Sequence, residues 1–255
     1  MPFPKTTSRI LPILTALMLL LFSISGCRGN DDPLIVYSGK GLKLPMDEIA
    51  AAYEEQTGTP VEIIYAGSNT LLSTIKKTQS GDIFVPGSQA YITNAGELIT
   101  SHEFVGHHTP TIAVSQKMAS KIQEIEDLSK PGTKIATGNA DMAAIGRITD
   151  AILKKMPPEE SFQGNIVVTA STVNELIQLV IDGEVDAALI WRDMLSWDGA
   201  DNLTELTIPA EYNAIKEIRA GILSTTASPK QAKKFLEFMQ ADGRRVFAQH
   251  GFTRD

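Results

Sequence analysis

The chain has 255 residues and a single cysteine, Cys27, which stands directly after an apolar N-terminal segment. Residues 10–24 are mostly apolar and follow two cations, Lys5 and Arg9. Because a transmembrane helix needs about 20 apolar residues, this run is too short to span a bilayer comfortably. A cationic start, a short apolar run and a small-residue end are typical of a cleaved export signal.

The end of this segment predicts where the signal is cut. Ile24-Ser25-Gly26-Cys27 resembles a lipobox, in which a bacterial signal peptide is removed in front of a cysteine that carries lipid. We predict a signal peptide over residues 1–26, a lipid on Cys27 and a polar tether over residues 27–32. The alternative is an uncleaved anchor with an incidental cysteine. A lipid would hold the protein on a membrane outside the cytoplasm, in the periplasm or on the outer face of the cell membrane.

A lipidated Cys27 leaves no thiol for a disulfide, a thiolate metal site or a cysteine nucleophile. More than 220 residues remain after the predicted cleavage, which is enough for one large core or two smaller lobes. The formal net charge of −7 becomes −9 when Lys5 and Arg9 are removed. Since nucleic-acid binding depends on lysines and arginines that neutralise phosphates, we predict no nucleic-acid partner.

Short apolar runs alternate with amphipathic segments along the mature chain. The predicted strands cover residues 34–37, 61–65, 83–85, 112–114, 135–136 and 185–191. The predicted helices cover residues 45–56, a segment around Leu71 and Ile75, residues 143–156 and residues 173–181, and a further one starts at the capping sequence Ser228-Pro229-Lys230-Gln231. This alternation predicts βα units around mainly parallel sheets.

Two serines follow the ends of predicted strands. Ser38 comes after the first strand, and Ser68 comes after the second. A serine at a helix start offers a hydroxyl beside unpaired backbone N–H groups and the positive end of the helix dipole. These groups together can bind an anion without a cation. The alternative is ordinary N-capping, which needs no ligand.

The order and spacing of the motifs resemble those of the periplasmic molybdate/tungstate-binding proteins, the solute receptors of ABC importers. The matching segments are residues 49–54, Ala66-Gly67-Ser68-Asn69-Thr70-Leu71, Gly81-Asp82-Ile83-Phe84-Val85, residues 175–191 and residues 235–252. The resemblance implies an α/β protein with the two-lobed type II periplasmic-binding-protein fold, whose mainly parallel sheets are joined by two crossover strands. We accordingly predict a first lobe over residues 33–112 and 218–255, and a second over residues 113–217.

The resemblance also implies a ligand site between the lobes. The family binds its oxyanion with two serine hydroxyls, matched by Ser38 and Ser68, and with backbone N–H groups at positions matched by Ala144 and Val173. A tyrosine hydroxyl usually completes the site, and Trp191 stands at that position here. An indole N–H only donates, whereas a phenol both donates and accepts. The alternative role for Trp191 is a core aromatic residue that closes a strand.

Other polar residues near these motifs are possible additional contacts, namely Lys40, Asn69, Arg147 and Arg192. The usual molybdate pocket works with neutral donors, so an arginine in the site would indicate a different or larger anion. The alternatives are solvated surface charges, or arginines paired with Asp141 or Asp193. Asn69 and Asn139 could equally serve turns or caps.

His102, His107 and His108 are close enough in sequence to suggest a metal site, but the helical spacing of a zinc motif is absent and Gly106 and Pro110 predict a loop. We predict no metal, no cofactor and no catalytic residue. The predicted function is capture of a tetrahedral oxyanion, molybdate or tungstate, by a monomer that delivers it to a membrane permease. The alternatives are a receptor for sulfate, phosphate or a small organic acid, an enzyme on the same architecture, and a surface adhesin or antigen.

Overall fold

The computed structural model describes Met1 and residues 32–252. Cys27, the rest of the predicted signal peptide and the tether before Asp32 lie outside the described residues. Residues from Leu34 onward form one compact unit with two five-stranded sheets.

The strands and helices alternate along the chain. The strands are β1 (Leu34–Gly39), β2 (Val61–Ala66), β3 (Ile83–Val85), β4 (Ile99–His108), β5 (Pro110–Val114), β6 (Ile135–Gly138), β7 (Ile166–Ala170), β8 (Ala187–Trp191), β9 (Thr204–Leu206) and β10 (Lys216–Leu223). The helices are α1 (Lys43–Thr57), α2 (Ser68–Thr78), α3 (Gln89–Ala95), α4 (Ala144–Leu153), α5 (Val173–Ile181), α6 (Pro229–Phe238) and α7 (Arg244–Gln249). A π-helical turn over Met239–Gly243 joins α6 to α7.

Both sheets are mixed and have the same arrangement of parallel and antiparallel strands. The spatial order is β2-β1-β3-β10-β4 in the first sheet and β7-β6-β8-β5-β9 in the second. In the first sheet β1 pairs in parallel with β2 and β3, while β10 is antiparallel to β3 and β4. In the second, β6 pairs in parallel with β7 and β8, while β5 is antiparallel to β8 and β9. The two-sheet α/β prediction is confirmed, but the expectation of mainly parallel sheets is wrong, since half of the strand pairings are antiparallel.

The chain passes between the sheets twice. The first crossing is at Thr109, between β4 and β5, and the second is the segment 207–215, between β9 and β10. Residues 110–112, predicted for the first lobe, therefore lie in a strand of the second sheet. Lys216 and Glu217, predicted for the second lobe, lie in β10 of the first sheet.

The helices cover the sheets with apolar faces that the sequence pattern predicts. Leu176, Ile177 and Val180 of α5 are buried in the core of the second sheet. In the first sheet, Val36 and Tyr37 of β1 point to opposite faces, as neighbours in a strand do. Val36 packs in the cluster that contains α1, α6 and α7, and Tyr37 packs in the cluster that contains α2 and α3.

Two helix boundaries differ from the predictions. Helix α4 covers residues 144–153, so it is shorter at both ends than the predicted 143–156. Helix α6 begins with Pro229 at its first turn as predicted, but the Ser228 side chain makes no capping hydrogen bond. The Ser228 carbonyl instead accepts from the backbone N–H groups of Gln231 and Ala232. The capping box predicted there is therefore wrong.

The strand directions place the carboxyl ends of the strands of one sheet opposite those of the other sheet. We call this end of each sheet its carboxyl edge. Because β1, β2 and β3 are parallel, their carboxyl ends lie at a single edge. Strand β4 runs the same way, since β3 and β4 are both antiparallel to β10, so His108 lies at this edge too. The carboxyl ends of β6, β7 and β8 likewise share an edge, which is where β5 begins. Both crossings connect these two edges, so a cleft between the sheets is bordered by the strand carboxyl ends.

A buried contact joins the two edges at the first crossing. His108, the last residue of β4, stacks on Trp191, the last residue of β8, with ring centroids 3.7 Å apart and an interplanar angle of 21°. Nε2 of His108 lies 3.1 Å from Oδ1 of Asp193. The two residues are only 9% and 6% exposed. The Phe252 ring lies 5.3 Å from that of His108 on another side. We call His108, Trp191 and Asp193 the hinge cluster, because they pack together at the first crossing between the sheets.

Glycines allow α4 to begin directly against the end of β6. A Cβ atom on Gly146 would lie 2.4 Å from the carbonyl oxygen of Gly138 and 2.5 Å from the backbone nitrogen of Ala140. A Cβ atom on Gly138 would lie 2.5 Å from Cγ2 of Ile145. A larger residue at position 146 would have to displace backbone, because Cβ atoms do not approach other atoms below 3.0 Å.

We expect Gly146→Ala to lower the free energy of unfolding by about 2 kcal/mol, because overpacking against fixed neighbours typically costs about 1–3 kcal/mol. Urea denaturation followed by circular dichroism measures the change. Gly164→Ala is the matched control, since a Cβ atom there meets nothing within 4 Å. Equal stability of the two variants would contradict the close approach of α4 to β6.

We expect His108→Ala to lower the free energy of unfolding by about 3 kcal/mol, because it removes one partner of a buried polar pair and leaves the Asp193 carboxyl group unpaired. His250→Ala serves as the control. Its Nε2 lies 2.8 Å from Oε2 of Glu48, whose side chain is 52% exposed, so its loss costs about 1 kcal/mol or less. A His108 variant no less stable than the His250 variant would argue against a structural role for the hinge cluster.

Candidate functional site

Ser38 presents a buried hydroxyl at the carboxyl edge of the first sheet. It is the penultimate residue of β1 and has no exposed surface. Its Oγ has no hydrogen-bond partner within the described part of the chain. A buried hydroxyl without a partner costs about 1–3 kcal/mol, so the fold keeps here a polar group that its own packing does not satisfy.

Ser68 lies beside the end of β1, although 30 residues separate it from Ser38 in sequence. It is the first residue of α2, where Gly67 occupies the N-cap position. Its Oγ accepts a hydrogen bond of 3.0 Å from the backbone N–H of Gly87. A Cβ atom on Gly39 would lie 3.5 Å from this Oγ. Neither serine caps a helix through its side chain, so the N-capping alternative is wrong for both.

Two helices of the second sheet begin at its carboxyl edge. Ala144 is the first residue of α4, after Ala143, whose side chain makes no capping bond. Val173 is the first residue of α5, where the Thr172 hydroxyl accepts from the backbone N–H of Glu175 at 3.2 Å. The first N–H groups of an α-helix have no acceptor within the helix, and the helix dipole makes this end positive. Both predicted backbone donors therefore lie where an anion is favoured.

Trp191 closes β8 at the same edge. It is 7% exposed and belongs to the core of the second sheet. Its stacking on His108 fixes one face of the indole. The indole N–H takes part in none of the hydrogen bonds described within residues 32–252. Packing is therefore one role of Trp191, and the N–H group remains available for a second.

The cations near these motifs are engaged with the protein or exposed. Nε of Arg192 lies 3.0 Å from Oε1 of Glu205, and Nη1 of Arg147 donates to the carbonyl of Ala140 at 2.9 Å. Lys40 is exposed. The expected alternative pairing of the arginines with Asp141 or Asp193 is therefore wrong. Arg192 pairs with Glu205, and Asp193 bonds to His108.

The two asparagines also have different surroundings. Asn139 Oδ1 accepts from the backbone N–H of Asp141 at 2.9 Å, which is the turn role expected as an alternative. Asn69 is exposed on the first turn of α2.

The histidine segment is a strand rather than the predicted loop. Residues 99–108 form β4, in which His102 Nδ1 lies 3.4 Å from Nη1 of Arg219, and His108 is turned toward Asp193. Between Asp32 and Phe252, no group of three His, Cys, Asp or Glu side chains is arranged to hold a metal ion. In the same stretch no helix combines the length and apolar character that crossing a membrane requires.

Two surface grooves lie away from the serines. One of about 560 Å³ runs between β4, β10 and α6, with Glu103, Leu236 and Glu237 in its wall. Another of about 220 Å³ lies beside α4 and includes Gly138, Asn139 and Ala140. Neither is lined by Ser38, Ser68, Val173 or Trp191.

Sequence reasoning missed two features of this region. The contact of Gly87 with Ser68 is not among the predictions. Pro86-Gly87-Ser88 directly follows a predicted strand, and its proline and glycine are typical of a turn. The buried pair of His108 and Asp193 was missed because these residues lie 85 positions apart. The sequence suggests only an arginine as the partner of Asp193, whereas the structure pairs it with His108.

The chain matches a family model described as bacterial extracellular solute-binding protein over residues 34–253. A putative binding protein of Haemophilus influenzae is 27% identical over 241 residues, which cover 93% of this chain and 96% of the relative. A putative ABC transporter substrate-binding lipoprotein of Bacillus subtilis, YvgL, is 22% identical over 276 residues, covering 98% of this chain and 99% of the relative.

Solved structures show the same fold at lower identity. The substrate-binding domain of a putative molybdenum ABC transporter from Clostridium difficile superposes with a TM-score of 0.78 at 19% identity, covering 88% of this chain and 99% of that one. The Campylobacter jejuni protein PEB3 with bound L-phospholactate gives 0.68 at 17% identity, with 87% and 100% covered. The sulfate-binding protein of Mycobacterium tuberculosis gives 0.66 at 13% identity, with 86% of each chain covered. The type II fold prediction is confirmed, and the family match over residues 34–253 shows that the chain belongs to the bacterial extracellular solute-binding proteins.

Proposed function

We propose that this protein is the substrate-binding lipoprotein of an ABC importer, and that it captures molybdate or tungstate in the cleft between its lobes. The observation that carries the proposal is the Ser38 hydroxyl, buried at the cleft edge with no partner among the described residues. A tetrahedral oxyanion would supply the missing acceptor. The sequence resemblance and the likeness to the Clostridium difficile domain support molybdate in particular.

The proposed site binds with neutral donors. Ser38 and Ser68 would donate from the first lobe, while the backbone N–H groups of Ala144 and Val173 and the indole of Trp191 would donate from the second. Helix N-termini bind anions because their unpaired N–H groups and the dipole act together. The net negative charge of the chain does not oppose this binding. The local field in the cleft comes from the oriented N–H groups, and charges beyond about 8 Å are screened at physiological salt.

The arginine environment also favours a small dianion over a larger ligand. A receptor for a bulky organic acid would be expected to direct a guanidinium at the carboxylate, because the planar fork fits that group. Arg192 is engaged by Glu205 and Arg147 by a backbone carbonyl. Both arginines are therefore held by groups of their own lobe.

Binding between two lobes couples capture to closure. The lobes are connected by two crossings, and the hinge cluster of His108, Trp191 and Asp193 lies at the first of them. A ligand that contacts both edges would stabilise a closed arrangement, as in other hinged binding proteins. The permease would recognise that closed form, and the mechanism requires no chemistry on the ligand.

We expect molybdate and tungstate to bind more tightly than phosphate. Hydrogen phosphate must donate its own proton, and a site in which every group donates to the ligand leaves that proton unpaired. This costs about 1–3 kcal/mol, roughly ten- to a hundredfold in affinity. Sulfate has the charge of molybdate but is smaller, so some donors would be stretched and its affinity would fall between the two. Isothermal titration calorimetry with each anion on the purified protein makes the comparison.

Ser38→Ala and Ser68→Ala should each weaken molybdate binding about tenfold or more, since each removes a hydrogen bond to a charged group. Ser101→Ala is the matched control, because Ser101 is exposed on β4. The oxyanion assignment is wrong if phosphate or a carboxylate outbinds molybdate and Arg147 or Arg192 proves essential. In that case only the receptor fold remains.

The lipid anchor is tested separately. We expect Cys27→Ala to abolish lipidation and to move the protein from the membrane fraction to the soluble fraction. Ser25→Ala keeps a small residue before the cleavage site and should still be lipidated. Mass spectrometry of the mature N-terminus shows whether each variant carries the lipid. An unmodified Cys27 in the mature native protein would contradict the lipoprotein assignment.

A further inference from the structure

The two serines of the proposed site differ in how the protein holds them. The Ser38 hydroxyl has no partner among the described residues, whereas the Ser68 oxygen accepts the backbone N–H of Gly87 at 3.0 Å. Gly87 lies in the turn after β3, the third strand whose carboxyl end reaches this edge. The segments that follow β1, β2 and β3 therefore meet at the carboxyl edge of the first sheet.

Gly39 allows the turn at Gly87 to approach the end of β1, because it has no side chain. A Cβ atom on Gly39 would lie 3.1 Å from the backbone nitrogen of Gly87 and 3.7 Å from its Cα. The first distance is tighter than nearly all real Cβ contacts, so Gly87 would have to move by a few tenths of an ångström. The backbone dihedral angles of Gly39 are φ −57° and ψ 132°, which other residues adopt without strain. Space, rather than conformation, therefore requires glycine at position 39.

We propose that Gly87 is a positioning residue that sets Ser68 as a hydrogen-bond donor toward the ligand, and that Gly39 makes room for it. This inference rests on the proposed function. A hydroxyl has one proton to donate and two lone pairs that accept. The Gly87 N–H occupies one lone pair on the side of β3. The Ser68 proton then has no acceptor within residues 32–252, so it is free to donate to a ligand in the cleft.

The arrangement strengthens binding and selects the ligand. A hydroxyl that accepts one hydrogen bond becomes a better donor in the next, because hydrogen bonds in a chain polarise each other. An oriented hydroxyl also loses less rotational freedom when the ligand arrives. A ligand that must donate a proton gains less from Ser68, since the Gly87 N–H already occupies one of the two lone pairs of its oxygen. The Gly87 contact therefore raises the preference for fully deprotonated anions over hydrogen phosphate.

A double-mutant cycle tests the inference on the purified full-length mature protein. Gly39→Ala, Ser68→Ala and the double variant are titrated with molybdate and with hydrogen phosphate by calorimetry. We expect Gly39→Ala to weaken molybdate binding about fivefold in the wild-type background and less than twofold when Ser68 is alanine. We also expect Gly39→Ala to reduce the ratio of molybdate affinity to phosphate affinity. A general loss of fold would instead lower both affinities alike.

Gly41→Ala is the matched control, because a Cβ atom at position 41 meets nothing within 4 Å. Its affinities should equal those of the wild-type protein. The melting temperature of every variant shows that it is folded. Unchanged molybdate affinity in Gly39→Ala, or the same loss with and without Ser68, would overturn the positioning role while leaving the proposed function intact.

A readout without ligand separates the two proposals. The amide proton of Gly87, observed by NMR, should exchange with solvent about tenfold faster in Ser68→Ala, because its acceptor is gone, and also faster in Gly39→Ala. Gly41→Ala should leave it unchanged. If the wild-type protein binds none of the oxyanions, the proposed function fails, and slow Gly87 exchange that depends on Ser68 still supports the positioning contact. Exchange that does not depend on Ser68 overturns the contact whatever the ligand results are.

Discussion

The parallel pairing of the three strands at one side of each sheet is the constraint on which the rest of the structure depends. Strands β1, β2 and β3 end at one edge, and β6, β7 and β8 end at another. Both crossings of the chain connect these edges, so they must face each other. A helix or turn follows every strand end, and its unpaired N–H groups point outward. The cleft therefore collects hydrogen-bond donors from both lobes as a consequence of topology.

Trp191 combines a packing role with the proposed role of a ligand donor, and the first limits the second. Its ring is packed between the core of the second sheet and His108, and His108 is held by Asp193. These contacts leave the indole little freedom to adjust to a ligand. A rigid donor is an advantage for a small anion of fixed size, because no side-chain entropy is lost on binding. The packing of Trp191 on His108 also places the hinge cluster next to the proposed site, so that the proposed closure would pivot close to the ligand.

Local patterns predicted most elements, and long-range contacts account for the differences. Strand β3 and the buried positions of α5 follow directly from apolar spacing, and Gly58 ends α1 in the left-handed conformation as a stop signal should. Gly106 and Pro110 predict a loop where the structure has β4, because the ten residues of this strand pair with β10, more than 100 positions later. Periodicity predicts which side of an element is buried, but not which element covers it. Resemblance and a place after predicted strands identify the two serines. The hydrogen bond of Ser68 with Gly87, and the lack of a partner for Ser38 among the described residues, are visible only in the folded chain.

Glycines at equivalent positions explain how a site of neutral donors can be specific. Gly39 ends β1 and Gly138 ends β6, the central strands of the parallel groups in the two sheets. Each has the backbone of another segment packed against it. In the first sheet this segment is the turn at Gly87, and in the second it is the first turn of α4 at Gly146. Neutral donors are individually weaker than a cation, so their affinity depends on being fixed in advance. Close backbone packing would provide that fixation without charge. The number of protons on an anion and its size, rather than its charge alone, would then decide which anion the proposed site prefers.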